Sequence, residues 1–157
     1  MTFEHSILIR AVPGELFALT QDYTRRLEWD CFLTQASLLH GAAAAGVGVR
    51  AHCVAKSGMA METEYVSFNP PTVTAVKMTR GPWFLEHFAG SWRFHEEASG
   101  QTRVFFRYHV QAWPRWFAPL LTPILAWVFA RETKRRLTAL KASVEEHGLL
   151  QNTRGTA

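Results

Sequence analysis

The sequence predicts an α+β domain, an antiparallel sheet of seven strands followed by one long C-terminal helix. Three observations carry this expectation. From residue 31 to residue 112 apolar and polar side chains alternate with period two, and turn residues interrupt the alternation roughly every ten residues. Past Pro114 the period changes to that of a helix and stays so to about His147. The chain of 157 residues is one domain in length, enough to bury about 70% of the surface it exposes when unfolded without a metal or disulfide staple.

Taken in order, residues 3–10 are extended and β-branched, with Ile7 and Ile9 on one face and Leu8 on the other, a first strand. Pro13 opens a short helix to Thr20, since proline suits a first helical turn. Asp22 is placed to cap a second, through Tyr23 to Leu27, and Trp29 closes that unit. Six strands follow at 31–39, 47–56, 59–68, 72–79, 84–97 and 101–112, separated by the Gly41–Gly46 loop, Ser57-Gly58, Asn69-Pro70-Pro71, Gly81-Pro82 and Ser99-Gly100. In the last, Thr102, Val104, Phe106, Tyr108 and Val110 share one face and Arg103, Phe105, Arg107 and His109 the other. In 59–68 the parity changes near Tyr65, as a bulge there would make it. The second half of the long helix carries Ala130, Thr133, Leu137, Leu140 and Val144 on one stripe, whereas residues 117–129 are apolar all round. Gly148 is a helix stop, so the domain is expected over 1–148 and a disordered tail over 149–157.

Composition excludes disordered, collagenous and coiled-coil classes: 48% of residues are hydrophobic and 19% charged. Aromatic content is 13%, with six Trp and eleven Phe, more than a small core requires. Seventeen Lys and Arg against thirteen Asp and Glu give a net charge of +4, which is no nucleic-acid footprint, so no nucleic-acid partner is expected. Cys31 and Cys53 form no C-x-x-C pair, and the N-terminus has no signal-peptide pattern, so a cytoplasmic protein with free thiols is expected. The nearly uncharged run 116–130, from Trp116 to Ala130, is shorter than the roughly 20 residues a spanning helix needs, and Pro119 and Pro123 interrupt it. It does not span a bilayer but could touch one.

Local features then point to a family. Ile9-Arg10-Ala11-Val12-Pro13 runs into Leu16-Phe17, and Asp22 precedes Arg26 and Trp29. Asn69-Pro70-Pro71 follows a strand, Gly90-Ser91-Trp92-Arg93-Phe94 is followed by Gly100-Gln101-Thr102-Arg103-Val104, and Leu137-Thr138-Ala139-Leu140-Lys141 precedes Glu145. In this order they resemble the START-like helix-grip (SRPBCC) superfamily, which includes polyketide cyclases and dehydrases, lipid carriers and coenzyme-Q-binding proteins. The resemblance covers nearly the whole chain and implies a helix-grip fold: a curved seven-stranded antiparallel sheet wrapped around the long helix, with two short helices after the first strand and a cavity between sheet and helix. It fixes no single function.

The candidate cavity residues are Trp29, Met61, Tyr65, Phe88, Trp92, Phe94, Phe106, Tyr108, Leu120 and Ile124. For the aromatic ones the alternative is plain core packing. Tyr108 is the informative one, and the one catalytic candidate, because a buried phenol requires a partner that a ligand can supply. His87, His95 and His109 fall on the outward face, and no H-E-x-x-H or Cys/His cluster occurs, so neither metal nor cofactor is expected. Glu62 and Glu64 share a strand face as solvated residues rather than a hydrolytic pair. Arg131, Lys134, Arg135 and Arg136 form a basic run after the apolar stretch, either a solvated helix face or, with 116–130, a peripheral membrane contact. A homodimer through the same stretch is the third option.

These residues favour binding or carriage of a hydrophobic small molecule, lipid-like or polycyclic. The alternatives are a polyketide-type aromatase/cyclase or dehydratase using a cavity tyrosine, and an accessory module for a membrane or a partner protein. Catalysis is disfavoured because Tyr108, with Tyr65 as a second candidate, is a thin set of polar groups for proton transfer.

Overall fold

A computed structural model describes residues Met1–Gln151. Its elements run β1 (Thr2–Ile9), α1 (Pro13–Gln21), α2 (Arg26–Trp29), β2 (Leu33–Leu38), β3 (Arg50–Ala55), β4 (Ala60–Asn69), β5 (Val73–Arg80), β6 (Leu85–Ala98), β7 (Gln101–Ala112) and α3 (Ala118–Glu145). The seven strands form one antiparallel sheet of order β1-β7-β6-β5-β4-β3-β2. β2 to β7 are thus a meander, and β1 closes the far edge against β7, with Phe3 opposite Tyr108 and Ile7 opposite Val104.

The alternation along β6 and β7 decides which face turns inward. Thr102, Val104, Phe106, Tyr108, Val110 and Ala112 are all buried, as are Gly90, Trp92 and Phe94, whereas Arg107, His109, Arg93 and His95 are exposed. Register shifts at Leu33/Gln35, Glu62/Thr63, Tyr65/Ser67, Leu85/His87 and Glu96/Ala98 bend the strands and curl the sheet. The shift at Tyr65/Ser67 lies where the hydrophobic parity of β4 changes; it turns Tyr65 inward while Val66 stays exposed.

α3 lies across the concave face and packs mainly on β1 and β7. Its buried stripe is Ala126, Thr133, Leu137, Leu140 and Val144, one side of a helix about 42 Å long at 1.5 Å per residue. Its C-terminal half is tied to the β1 edge: Lys141 Nζ donates to the Leu8 carbonyl at 2.7 Å and the Arg10 amide donates to Glu145 at 2.7 Å. α1 covers β6, and Phe17 meets Phe68 and Phe94 edge-on at 5.2 and 5.6 Å. Leu149 and Leu150, expected to begin a tail, are half-buried and pack against the core, and Arg25 donates to the Leu149 carbonyl at 3.0 Å. The rest of the expected tail, 152–157, lies outside the described residues. No helix among the described residues is long and apolar enough to cross a membrane.

Candidate functional site

The helix and the sheet do not meet everywhere. Beneath the middle of α3 they leave a cavity of about 180 Å³. Its walls are mostly apolar: Phe84, Leu85, Phe88, Trp92 and Phe106 from β6, β7 and the turn before them, Met61 and Val76 from the middle of the sheet, and Leu125, Val128 and Phe129 from α3. Gly90 lies against this wall, where a Cβ would stand at van der Waals contact, 3.5 Å, from the rings of Phe88 and Phe106.

One end of the cavity is polar, and α2 builds it. Arg26 is buried, and its Nε donates to Asp30 Oδ2 at 2.9 Å and its Nη1 to the Thr20 carbonyl at 2.6 Å. Arg136 reaches the same carboxylate from α3, with Nε to Oδ1 at 3.0 Å and Nη2 to Oδ2 at 2.6 Å. The Phe32 amide adds a bond to Oδ1 at 3.2 Å. Burial on its own would raise the Asp30 carboxyl, but the Arg136 and Arg26 guanidinium groups outweigh it and hold its pKa below the ordinary value. Burial also works against the charge on Arg26, yet Asp30 outweighs it and raises that pKa. Rings cover both guanidinium groups: Arg26 lies 4.8 Å over Trp29, and Arg136 lies 5.3 Å over Phe32 and 5.7 Å over Phe106.

Beside Arg26, Tyr65 donates to Gln21 Oε1 at 2.7 Å and its hydroxyl lies 3.3 Å from that of Tyr23. Gln21 Nε2 in turn donates to Thr20 Oγ1 at 3.0 Å, and Thr20 to the Phe17 carbonyl at 3.1 Å. Burial raises the pKa of both phenols and of the Cys53 thiol, so all three are neutral at physiological pH. Glu132 is the carboxylate in the lining, and it pairs outward with Arg135 at 3.3 Å. The polar end therefore offers donors and positive charge but no free base among the described residues. No group of three or more His, Cys, Asp and Glu there could hold a metal ion.

Of the residues singled out from the sequence, Met61, Tyr65, Phe88, Trp92 and Phe106 line the cavity. Trp29 lies behind the wall, edge-on to Trp92 at 6.0 Å, and Phe94 points to Phe17. Tyr108 is inward but packs between Phe3 and Phe129, at 5.4 and 5.8 Å, and lies outside the lining. Burial pushes its pKa up to about 12, and Thr133 beside it acts in the opposite direction. Leu120 and Ile124 point away from the cavity and are exposed; the helical period places Leu125, Phe129, Thr133 and Arg136 inward instead. Arg136, expected on an outward basic face, is only 16% exposed, because it shares the stripe of Thr133, Leu137 and Leu140 rather than that of Lys134 and Arg135.

The sequence reading had no place in the cavity for Gln21, Tyr23, Arg26, Cys53 and Arg136. Arg26 was visible only as part of the Asp22, Arg26, Trp29 pattern, and its role depends on partners 4 and 110 positions away, at Asp30 and through it at Arg136.

A curled sheet closed by one helix over a largely apolar cavity with one polar end is the helix-grip fold. The chain belongs to the polyketide cyclase / dehydrase and lipid transport family, whose model matches residues 1–145. Solved structures share the fold at low identity. An aromatase/cyclase from Streptomyces sp. R1128, Zhui, is 14% identical with a TM-score of 0.76, over 94% of this chain and 98% of its own. A START superfamily protein from Mycobacterium smegmatis is 9% identical with a TM-score of 0.74, over 92% and 97%. BexL, a di-domain aromatase/cyclase of the BE-7585A biosynthetic pathway, is 14% identical with a TM-score of 0.78 over 92% of this chain. The match spans only 46% of BexL. No curated protein matches the sequence.

Proposed function

We propose that this protein binds and carries a hydrophobic small molecule, lipid-like or polycyclic, in the cavity between sheet and α3. The observation that carries the reading is the lining itself: apolar side chains over most of the wall, and Gln21, Tyr23, Arg26, Tyr65 and Arg136 gathered at one end to set orientation. Binding is by burial, at about 0.8 kcal/mol per methylene removed from water. Native mass spectrometry of the protein purified from its own cells is expected to release a hydrophobic molecule. Purification empty, together with no binding of a small aromatic probe, would overturn the reading.

A catalytic reading has one observation in its favour. Arg26 stands beside Tyr23 and Tyr65, a set of donors able to polarise a ketone. An aromatase/cyclase also needs a base to remove an α-proton, and Asp30 and Glu132 are both engaged by arginines. Turnover of a poly-ketone chain that stops in Tyr65→Phe would favour catalysis over carriage.

The proposed route of entry is an anionic bilayer surface. Trp116 is 81% and Trp83 76% exposed, and on α3 Leu120, Ile124, Trp127 and Val128 are exposed as well. Continuing the same outward stripe of α3 come Arg131, Lys134 and Arg135, with the half-buried Glu132 among them paired to Arg135. Aromatic groups followed by cations suit an interface with anionic headgroups. The patch also adjoins the cavity, since Phe84, the ring neighbour of Trp83, and Val128 are in its lining.

A further inference from the structure

The charges at the polar end of the cavity do not balance. Arg26 and Arg136 each carry a full positive charge, and they share the single carboxylate of Asp30, which is completely buried. Tyr23, Tyr65 and Cys53 are held neutral by burial and supply no second negative charge. Glu132 is drawn to Arg135 and so does not supply it either. Buried charge is normally matched by a partner, so one uncompensated positive charge in a cavity wall calls for explanation.

Donor capacity shows the same surplus. A guanidinium has five N–H bonds over three nitrogens. On Arg26 the Nε and Nη1 are engaged and on Arg136 the Nε and Nη2, leaving Nη2 of Arg26 and Nη1 of Arg136 without a hydrogen-bond partner among the described residues. Both arginines line the cavity. Asp30 holds the two side chains in place and their aromatic neighbours fix the planes, so the spare donors are preorganised.

We propose that the polar end is an anion site and that the ligand is a hydrophobic acid, its carboxylate or comparably acidic oxygen accepting from Arg26 and Arg136 while its apolar body lies along Trp92, Phe88 and Phe129. The proposal rests on the carrier reading and narrows it to a class of ligand. It also accounts for a second buried arginine where one would suffice to pair Asp30. A neutral lipid or polycycle of the same size would fill the apolar part and leave the surplus charge unmatched.

The test compares 2-naphthoate with the isosteric neutral 2-naphthamide by titration calorimetry at neutral pH. The wild-type protein is expected to bind both, and the acid roughly tenfold or more tightly, the worth of one hydrogen bond between charged groups. Arg136→Gln, which leaves Arg26 and Asp30 as a neutral pair, should bring the two affinities together, and Arg136→Lys should keep the preference for the acid. Equal binding of acid and amide by the wild type overturns the anion site and leaves the carrier reading standing; binding of neither overturns the anion site, and the carrier reading with it where the protein also purifies empty. The wild-type comparison decides the matter even if Arg136→Gln does not fold. A preference that survives unchanged in a folded Arg136→Gln also refutes the assignment.

Discussion

Replacing Asp30 by Asn removes the negative charge that holds two arginines and changes almost nothing else in size. Asn keeps one carbonyl oxygen, enough for the Phe32 amide or one guanidinium, but not for the contacts at 2.9, 3.0 and 2.6 Å that the carboxylate now accepts. Arg26 is buried and Arg136 nearly so, so water can replace the lost partner only in part. Breaking a buried ion pair by removing one member costs about 3–5 kcal/mol. At a urea slope of about 2 kcal/mol per molar this lowers the midpoint by about 2 M. The matched control is Glu97→Gln, which breaks the pair with Arg103 on the exposed face and should leave the midpoint nearly unchanged. Acid provides an independent check on sign. The folded-state pKa of Asp30 lies below its unfolded value of about 4. Its stabilisation is therefore fully present above about pH 4 and lost as pH falls through the folded pKa. The gap between wild type and Asp30→Asn should hold constant down to that pH and narrow below it. A midpoint shift no larger than that of Glu97→Gln, or a gap that persists unchanged into strong acid, would refute the account of the triad.

Three further outcomes follow from the same packing. Trp92→Ala should cost about 3–5 kcal/mol, because Trp92 is 7% exposed and packs on Trp29, Phe94 and Phe106, whereas Trp113→Ala, at 49% exposure, should cost far less; equal urea midpoints would show the facing of β6 to be misassigned. Cys31 is exposed while burial raises the thiol pKa of Cys53 in the cavity wall, so a thiol reagent should label Cys31 first, and a cavity ligand should slow labelling of Cys53 alone. Tryptophan fluorescence should respond to anionic vesicles, and Arg131→Gln, Lys134→Gln and Arg135→Gln together should weaken that binding by about 3 kcal/mol at most, most clearly at low salt. A sedimenting dimer that ignores vesicles and dissociates in Leu120→Glu would instead assign the patch to a second copy of the chain.

The elements and their order were legible in the sequence because period two and period 3.6 are local signals. Thr102 through Val110 alternate in the chain and alternate in the sheet, and the parity change near Tyr65 became a register shift. The order of motifs was enough to place the chain in its superfamily, and alternation along β6 and β7 marked Phe88, Trp92, Phe94, Phe106 and Tyr108 as inward, although Phe94 and Tyr108 lie outside the cavity lining.

Tertiary structure alone decided what meets at the polar end. Thr20 and Gln21 close α1, Arg26 sits in α2, Asp30 just beyond it, Cys53 in β3, Tyr65 in β4 and Arg136 late in α3. No spacing connects them, and only the curl of the sheet under the helix brings them together. Arg136 shows the reason most plainly. In the chain it is one of a basic run, Lys134, Arg135 and Arg136, and nothing in composition separates it from the others. A rotation of 100° per residue about α3 sends Lys134 and Arg135 to solvent and Arg136 into the wall. The phase of that rotation is set by where Leu137 and Leu140 find their core, an energy of long-range packing that no short window of sequence contains.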